Sequence, residues 1–310
     1  MLSALKPKRR TRFKIIRLSI MGALDKVPST ISIHGEKEEE DEYYSYSDSV
    51  DEIRSEMQKK GGATLEDIEW QDSFLSNNDA SFPNDPTGEL PNSWGAAEAS
   101  SFHIRGETCL KDRKKNIDQV KGKGILMQLV AANMLKSTNK QGDFAGRPGS
   151  ICQKFAAADR PDFFFIVNMQ IPGPATNFHI AFYYATTTPI KDVPLLHNFV
   201  EGDDAYRNSR FKLIPHVSKV GAMACKAKCW KQTLLLGHVL KIQYVRGKNY
   251  LELDADVGSS VIAKKVANRV LSSFNNLIVE AAFLIQGSTP EHILETCRMS
   301  HIDTSKVACT

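Results

Sequence analysis

Four groups of side chains in this sequence have types and spacings that could do chemistry. Asp254 and Asp256 sit two residues apart, so on a strand they face the same way. Asp203 and Asp204 are adjacent and precede Tyr206. Paired carboxylates perform acid–base work when their surroundings split their pKa values, but more often they are solvated or cap a following helix. Cys225 and Cys229 are the one close cysteine pair, and a structural zinc site needs four ligands. No second pair completes the set, and His216 and His238 only bracket the region, so the spacing predicts two free thiols in a loop and no metal. Arg210 and Lys212 share a strand face, while Arg246 and Lys248 flank a hairpin turn. Together they could make a basic rim for phosphate head groups. The plainer alternative is a sheet edge protected by solvated charge.

Motifs that would turn these groups into a catalytic set are missing. The sequence has no His-Glu-x-x-His, no Gly-x-Ser-x-Gly and no loop ending in Gly-Lys-Ser/Thr. Gly142 to Gly149 is glycine-rich without that ending and reads as a loop. The expectation is a protein that is not an enzyme and takes no cofactor, with a hydrolase using Asp254 or Asp256 as the least favoured alternative.

The elements that must hold these residues read as strands. Phe163 to Ile171 is an apolar run ended by Pro172-Gly173-Pro174, and Phe178 to Thr186 is its hairpin partner. Phe211 to Ile214 and Leu234 to Val245 read as further strands. Tyr250 to Asp254 alternates apolar and acidic residues, as a half-buried strand does. Two strands are expected around Arg105-Gly106, and that segment echoes Val245-Arg246-Gly247. Ile262, Val266, Val270, Phe274, Leu277, Ala281 and Leu284 recur at spacings of three and four. They predict one helix from about Ser259 to Gln286, capped by Ser259 or Ser260 and ended by Gly287. A rod of that length would span roughly 40 Å, enough to cross a sheet.

Over the whole chain of 310 residues, 42% hydrophobic and 25% charged residues are ordinary for a globular protein. The net charge of +4 hides an asymmetry. Eight basic residues against Asp25 alone give residues 1–34 a charge of +7, and residues 36–42 carry −5. Such blocks predict solvated tails rather than a nucleic-acid footprint. The sequence divides into a mostly disordered, charged region over 1–92, with short helical turns near 51–60, and a folded domain over 93–310. The basic run Lys6 to Arg17, interleaved with Ile15 and Ile16, suits an anionic membrane surface, a nuclear import signal or an organelle-targeting peptide. With no secretory h-region and no glycosylation sequon, the six cysteines are expected to be reduced. The expected compartment is then intracellular, cytoplasmic or peripheral to a membrane, or else nuclear or organellar through the basic N-terminus. No apolar run reaches about 18 residues, so no membrane-spanning helix is expected.

From about Trp94 to Arg298 the sequence resembles the plant Enhanced Disease Resistance 2 carboxy-terminal domain family. The landmarks are Phe102-His-Ile-Arg105-Gly106, Phe164-Phe165-Ile-Val-Asn168-Met-Gln-Ile-Pro172-Gly173 and Arg207-Asn208-Ser209-Arg210-Phe211-Lys212-Leu213-Ile214-Pro215. Leu236-Gly237, Tyr244-Val-Arg246-Gly247-Lys-Asn249-Tyr250-Leu251-Glu252, Asp254-Ala-Asp256-Val-Gly258-Ser259-Ser260 and Leu284-Ile285-Gln286-Gly287 complete the set. Cys109 and Gly221-Ala222-Met223 depart from the family pattern. Longer members carry a pleckstrin domain and a START lipid-transfer domain ahead of this one, and residues 1–92 are too short and polar to hold either. The resemblance implies a plant source and a link to lipid-dependent regulation of defence and cell death. It brings no catalytic residues.

The expected fold is therefore α+β, a largely antiparallel sheet with a long C-terminal helix packed across it in a START-like helix grip. The expected function is a regulatory module that binds a lipid or another apolar ligand. Phe163, Phe165, Phe182, Tyr184, Phe274, Leu277 and Ile278 would line its cavity, with Arg210, Lys212, Arg246 and Lys248 as polar anchors. The alternative is a protein-interaction scaffold with a solid core and a phosphorylatable tract at Tyr43 to Ser49.

Overall fold

A computed structural model of the chain describes residues 15–16, 31–32, 82–105, 119–121, 125–220, 233–287 and 292–309. The chain divides into two compact units, Met1–Tyr44 and Ser45–Thr310. In the first, Ile15–Ile16 (β1) pairs antiparallel with Ile31–Ser32 (β2). The remaining expectations for residues 1–81 fall outside the described residues. So do Cys225 and Cys229, and the second strand expected after Arg105-Gly106.

In the second unit the strands are Ser93–Gly95 (β3), His103–Arg105 (β4), Gln119–Lys121 (β5) and Gln128–Ser137 (β6). The helix Ile151–Ala157 (α1) precedes Phe163–Pro172 (β7) and Asn177–Thr186 (β8). Helices Pro194–Glu201 (α2) and Asp204–Asn208 (α3) lead to Phe211–Val220 (β9), Leu234–Leu235 (β10), the turn of helix Leu236–Val239 (α4) and Lys241–Arg246 (β11). Tyr250–Asp256 (β12), Val261–Leu271 (α5), Leu277–Ile285 (β13) and His292–Ser300 (β14) complete it.

Two five-stranded sheets result. One has the order β11-β12-β7-β8-β6 and the other β10-β9-β13-β14-β3. The pairing is antiparallel except between β12 and β7, which run parallel. That placement explains the apolar run Phe163 to Val167: β7 is a central strand covered on both faces, so no polar alternation is needed. The β7–β8 hairpin turns at Gly173, whose N–H donates to Thr176 O at 2.9 Å. The short pair β4–β5 forms apart from both sheets.

The sheets meet through a cluster of aromatic rings. Phe211 of β9 and Phe283 of β13 stack at 5.7 Å with planes 3° apart. Phe165 of β7 meets Phe211 at 5.9 Å, and Phe182 and Tyr184 of β8 meet Phe283 at 6.1 and 6.2 Å. Phe199 of α2 closes the cluster against Phe165 and Phe211. The outer face of the second sheet is covered too, where Ala282, Leu284, Ile214 and Ile293 pack under Ala97, Phe102 and Ile104.

The fold is thus mixed α and β with two mostly antiparallel sheets and few helices, and the long C-terminal helix is corrected. Helix α5 has 11 residues, Val261–Leu271, and starts where Ser260 Oγ accepts from Ala263 N. It ends at Ser272 and Ser273, a single 3-10 turn follows at Phe274–Asn276, and the chain then runs as β13. A helix grip needs a rod laid across the sheet, and the described residues hold none. Two smaller expectations also change. Leu234 to Val245 is interrupted by α4. Strand β12 is buried from Tyr250 to Ala255 on both faces rather than half-buried, because β11 and β7 flank it and a loop crosses it.

Candidate functional site

A cluster of buried polar side chains is built on β12. Glu252 and Asp254 project from the same face of the strand, and parallel pairing sets Asn168 of β7 opposite Asp254. The segment 138–150, between β6 and α1, crosses this face. Both carboxylate oxygens of Glu252 accept backbone amides of that segment, from Phe144 N at 2.9 Å and Ala145 N at 2.8 Å. Asp254 accepts from Asn168 Nδ2 at 2.6 Å and from Asp143 N at 3.4 Å. Asn168 Nδ2 and Gln170 Nε2 both donate to Gln141 O, at 3.0 and 2.8 Å. The loop can lie this close because residue 142 is glycine: a Cβ there would sit 2.1 Å from Asp254 Oδ2.

The loop is fastened at its other end as well. Tyr250 donates its hydroxyl to Asp143 Oδ1 at 3.0 Å, and Ser150 Oγ donates to Ala145 O while capping α1. The Arg147 guanidinium lies 4.1 Å over the Phe144 ring, whose neighbour His179 is held below its ordinary pKa by burial, at about 4.

Electrostatically the cluster is a carboxyl pair. Burial, and then the charge of Asp254, push the Glu252 pKa well up; burial also raises Asp254. The pair thus lies buried under a polar loop, where carrying two charges side by side is unfavourable. Glu252 is 0% exposed and both its oxygens are committed to amides, so its geometry is that of a staple between loop and sheet. Among the described residues, no three His, Cys, Asp or Glu side chains come together as metal ligands.

Glu252 was not singled out from the sequence. The signal was present in the alternation of acids at 252, 254 and 256, but the pairing fell to the wrong partner. Asp254 lies with Glu252 under the loop, while Asp256 goes to Lys140 Nζ at 2.5 Å. Of the other acidic pair, Asp203 caps α3 by accepting from Tyr206 N, as one expectation had it.

The expected basic anchors lie in different surroundings. Arg246 donates to Gly247 O, Tyr250 O and Glu201 Oε1 and lies 5.2 Å over the Phe163 ring. Lys248 pairs with Asp159 at 2.9 Å. Arg210 stacks 3.8 Å over Tyr206, and Lys212, only 5% exposed, lies inside the second sheet. Of the expected cavity-lining residues, Phe165, Phe182 and Tyr184 converge in the inter-sheet ring cluster. Phe163 packs under Arg246, Phe274 is buried beyond α5, and Leu277 and Ile278 are half-buried at the start of β13.

Comparison with known proteins adds the relationship. A family model described as Protein ENHANCED DISEASE RESISTANCE 2, C-terminal, matches residues 94–303. A relative from Arabidopsis thaliana, "Protein ENHANCED DISEASE RESISTANCE 2-like", is 35% identical over 226 residues, which are 72% of this chain and 30% of the relative. The chain therefore spans less than a third of that protein's length. No solved structure matches.

Proposed function

Because this chain belongs to the ENHANCED DISEASE RESISTANCE 2 C-terminal family, we propose that it is a non-enzymatic regulatory module of plant disease resistance that works through its surface around a solid core. The disease-resistance setting comes from the names of the family and of the Arabidopsis relative. The observation that carries the rest is the ring cluster between the sheets. Phe165, Phe182 and Tyr184, the residues best suited to line a lipid cavity, instead meet Phe211 and Phe283 ring to ring. A core closed this way favours the scaffold over the container. The committed oxygens of Glu252 favour a structural over a catalytic use of the carboxyl pair.

Thermal shift tests this reading. A ligand seated in the core at a hundredfold its Kd adds about 2.7 kcal/mol of stability. For a domain of this size that is a rise of roughly 5–10 °C in Tm. Phospholipids, sterols and free fatty acids are expected to leave Tm unchanged. A saturable rise of that size with any of them contradicts the solid-core reading and favours a lipid- or apolar-ligand-binding module.

A further inference from the structure

One surface of the second unit combines exposed aliphatic side chains with cations that make no ion pair among the described residues. Val261 and Ile262, at the start of α5, are 71% and 36% exposed, and they are the only adjacent pair of exposed large hydrophobics among the described residues. Ala263 and Ala267 pack inward against the core and Leu271 is buried, which fixes the inner face of the helix. At about 3.6 residues per turn, Val261, Lys265 and Arg269 then stack along the outer face, with Ile262 beside them. Lys264 is exposed on the flank.

The electrostatics of this face are one-sided. From Val257 to Val279 the sequence has no Asp or Glu, while Lys264, Lys265 and Arg269 supply three positive charges. Asp256, just before this stretch, is taken by Lys140. Among the described residues, none of the three α5 cations makes an ion pair.

We infer that the outer face of α5 docks on an anionic membrane surface, with Val261 and Ile262 entering the headgroup boundary and Lys264, Lys265 and Arg269 meeting lipid phosphates and carboxylates. Interfacial helices have this composition: aliphatic side chains interleaved with long cationic ones whose stems lie along the apolar layer while their heads stay in water. A bilayer fits better than a folded partner. The apolar part of the face is two side chains on a projecting helix, whereas stable protein interfaces engage roughly 20–30 residues a side. Basic residues near an anionic leaflet each strengthen binding, and the attraction is screened by salt.

The inference rests on the reading of a module that acts through its surface, yet it can fail separately from it. Loss of vesicle binding would leave the solid core untouched, and a lipid found inside the core would leave vesicle binding by α5 untouched. The test is sedimentation of the full chain with vesicles of phosphatidylcholine alone and of phosphatidylcholine mixed with phosphatidylserine. The wild type is expected to bind the mixed vesicles preferentially and to be released by added salt. The double variant Lys265→Glu/Arg269→Glu is expected to lose about tenfold or more in partitioning and Val261→Ser severalfold, with Tm unchanged because Val261, Lys265 and Arg269 are exposed. The full chain also carries the basic run Lys6 to Arg17. Variants that sediment as well as the wild type would therefore place the membrane contact elsewhere and overturn the inference. So would equal binding to both kinds of vesicle. Binding to polyglutamate but to neither vesicle would overturn it in favour of an acidic protein partner.

Discussion

At the scale of single residues, the buried carboxyls dictate how stability responds to pH. The Glu252 pKa is raised to about 8, chiefly by burial, and that of Glu295 in β14 to about 7 for the same reason. A carboxyl whose pKa is raised on folding holds a proton that the unfolded chain has already released. Stability therefore falls as pH rises from the unfolded value toward the folded one. Buried His179, held low, acts in the opposite direction, but only below its ordinary value of 6.5. Between pH 6.5 and 8 the carboxyl effect is unopposed by it. Urea unfolding should show the protein losing stability across that interval. Glu252→Gln should flatten the decline by up to about 1.4 kcal/mol per pH unit, while lowering stability at pH 6.5 because an amide cannot accept both loop N–H groups. An equal slope in wild type and variant would mean that Glu252 is ionised in the folded protein. Little of this was legible in advance. The alternation of acids along β12 is visible in the sequence, but a solvated strand face and a buried one give the same alternation. The loop amides that decide between them come from more than 100 residues away.

At the scale of elements, the loop over β12 and the break after α5 show what local pattern does and does not determine. Gly142 reads as one glycine of a flexible loop, yet its hydrogen atom occupies the only space the Asp254 carboxylate leaves. Gly142→Ala should cost about 1–3 kcal/mol as carboxylate and loop are forced apart. An alanine variant as stable as the wild type would show that the loop can lift from the sheet freely. The strands β7 and β8 were readable because a continuous apolar run and its Pro-Gly-Pro turn leave few alternatives. The helix–strand junction was not. The spacing of three and four that begins at Ile262 continues by coincidence into Ala281 and Leu284. A strand buried on both faces, as Ala282, Phe283 and Leu284 are, has no polar alternation to betray it. The serines and asparagines at 272, 273, 275 and 276 were the available stop signal.

At the scale of the molecule, what the sequence cannot express is how one sheet faces another. Phe165, Phe182 and Tyr184 are equally good as walls of a cavity or as half of a ring stack. The choice depends on Phe211 and Phe283, contributed by strands of the other sheet. Phe283 touches three of these rings, so Phe283→Ala should cost about 3–5 kcal/mol in urea unfolding. A cost near zero would mean the rings enclose space that relaxes to fill the void. The closed core is the central claim, and native mass spectrometry of the intact folded chain reaches it most directly. The account predicts the mass of the polypeptide alone. A stoichiometric adduct that persists in the folded protein and is released on denaturation would contradict it.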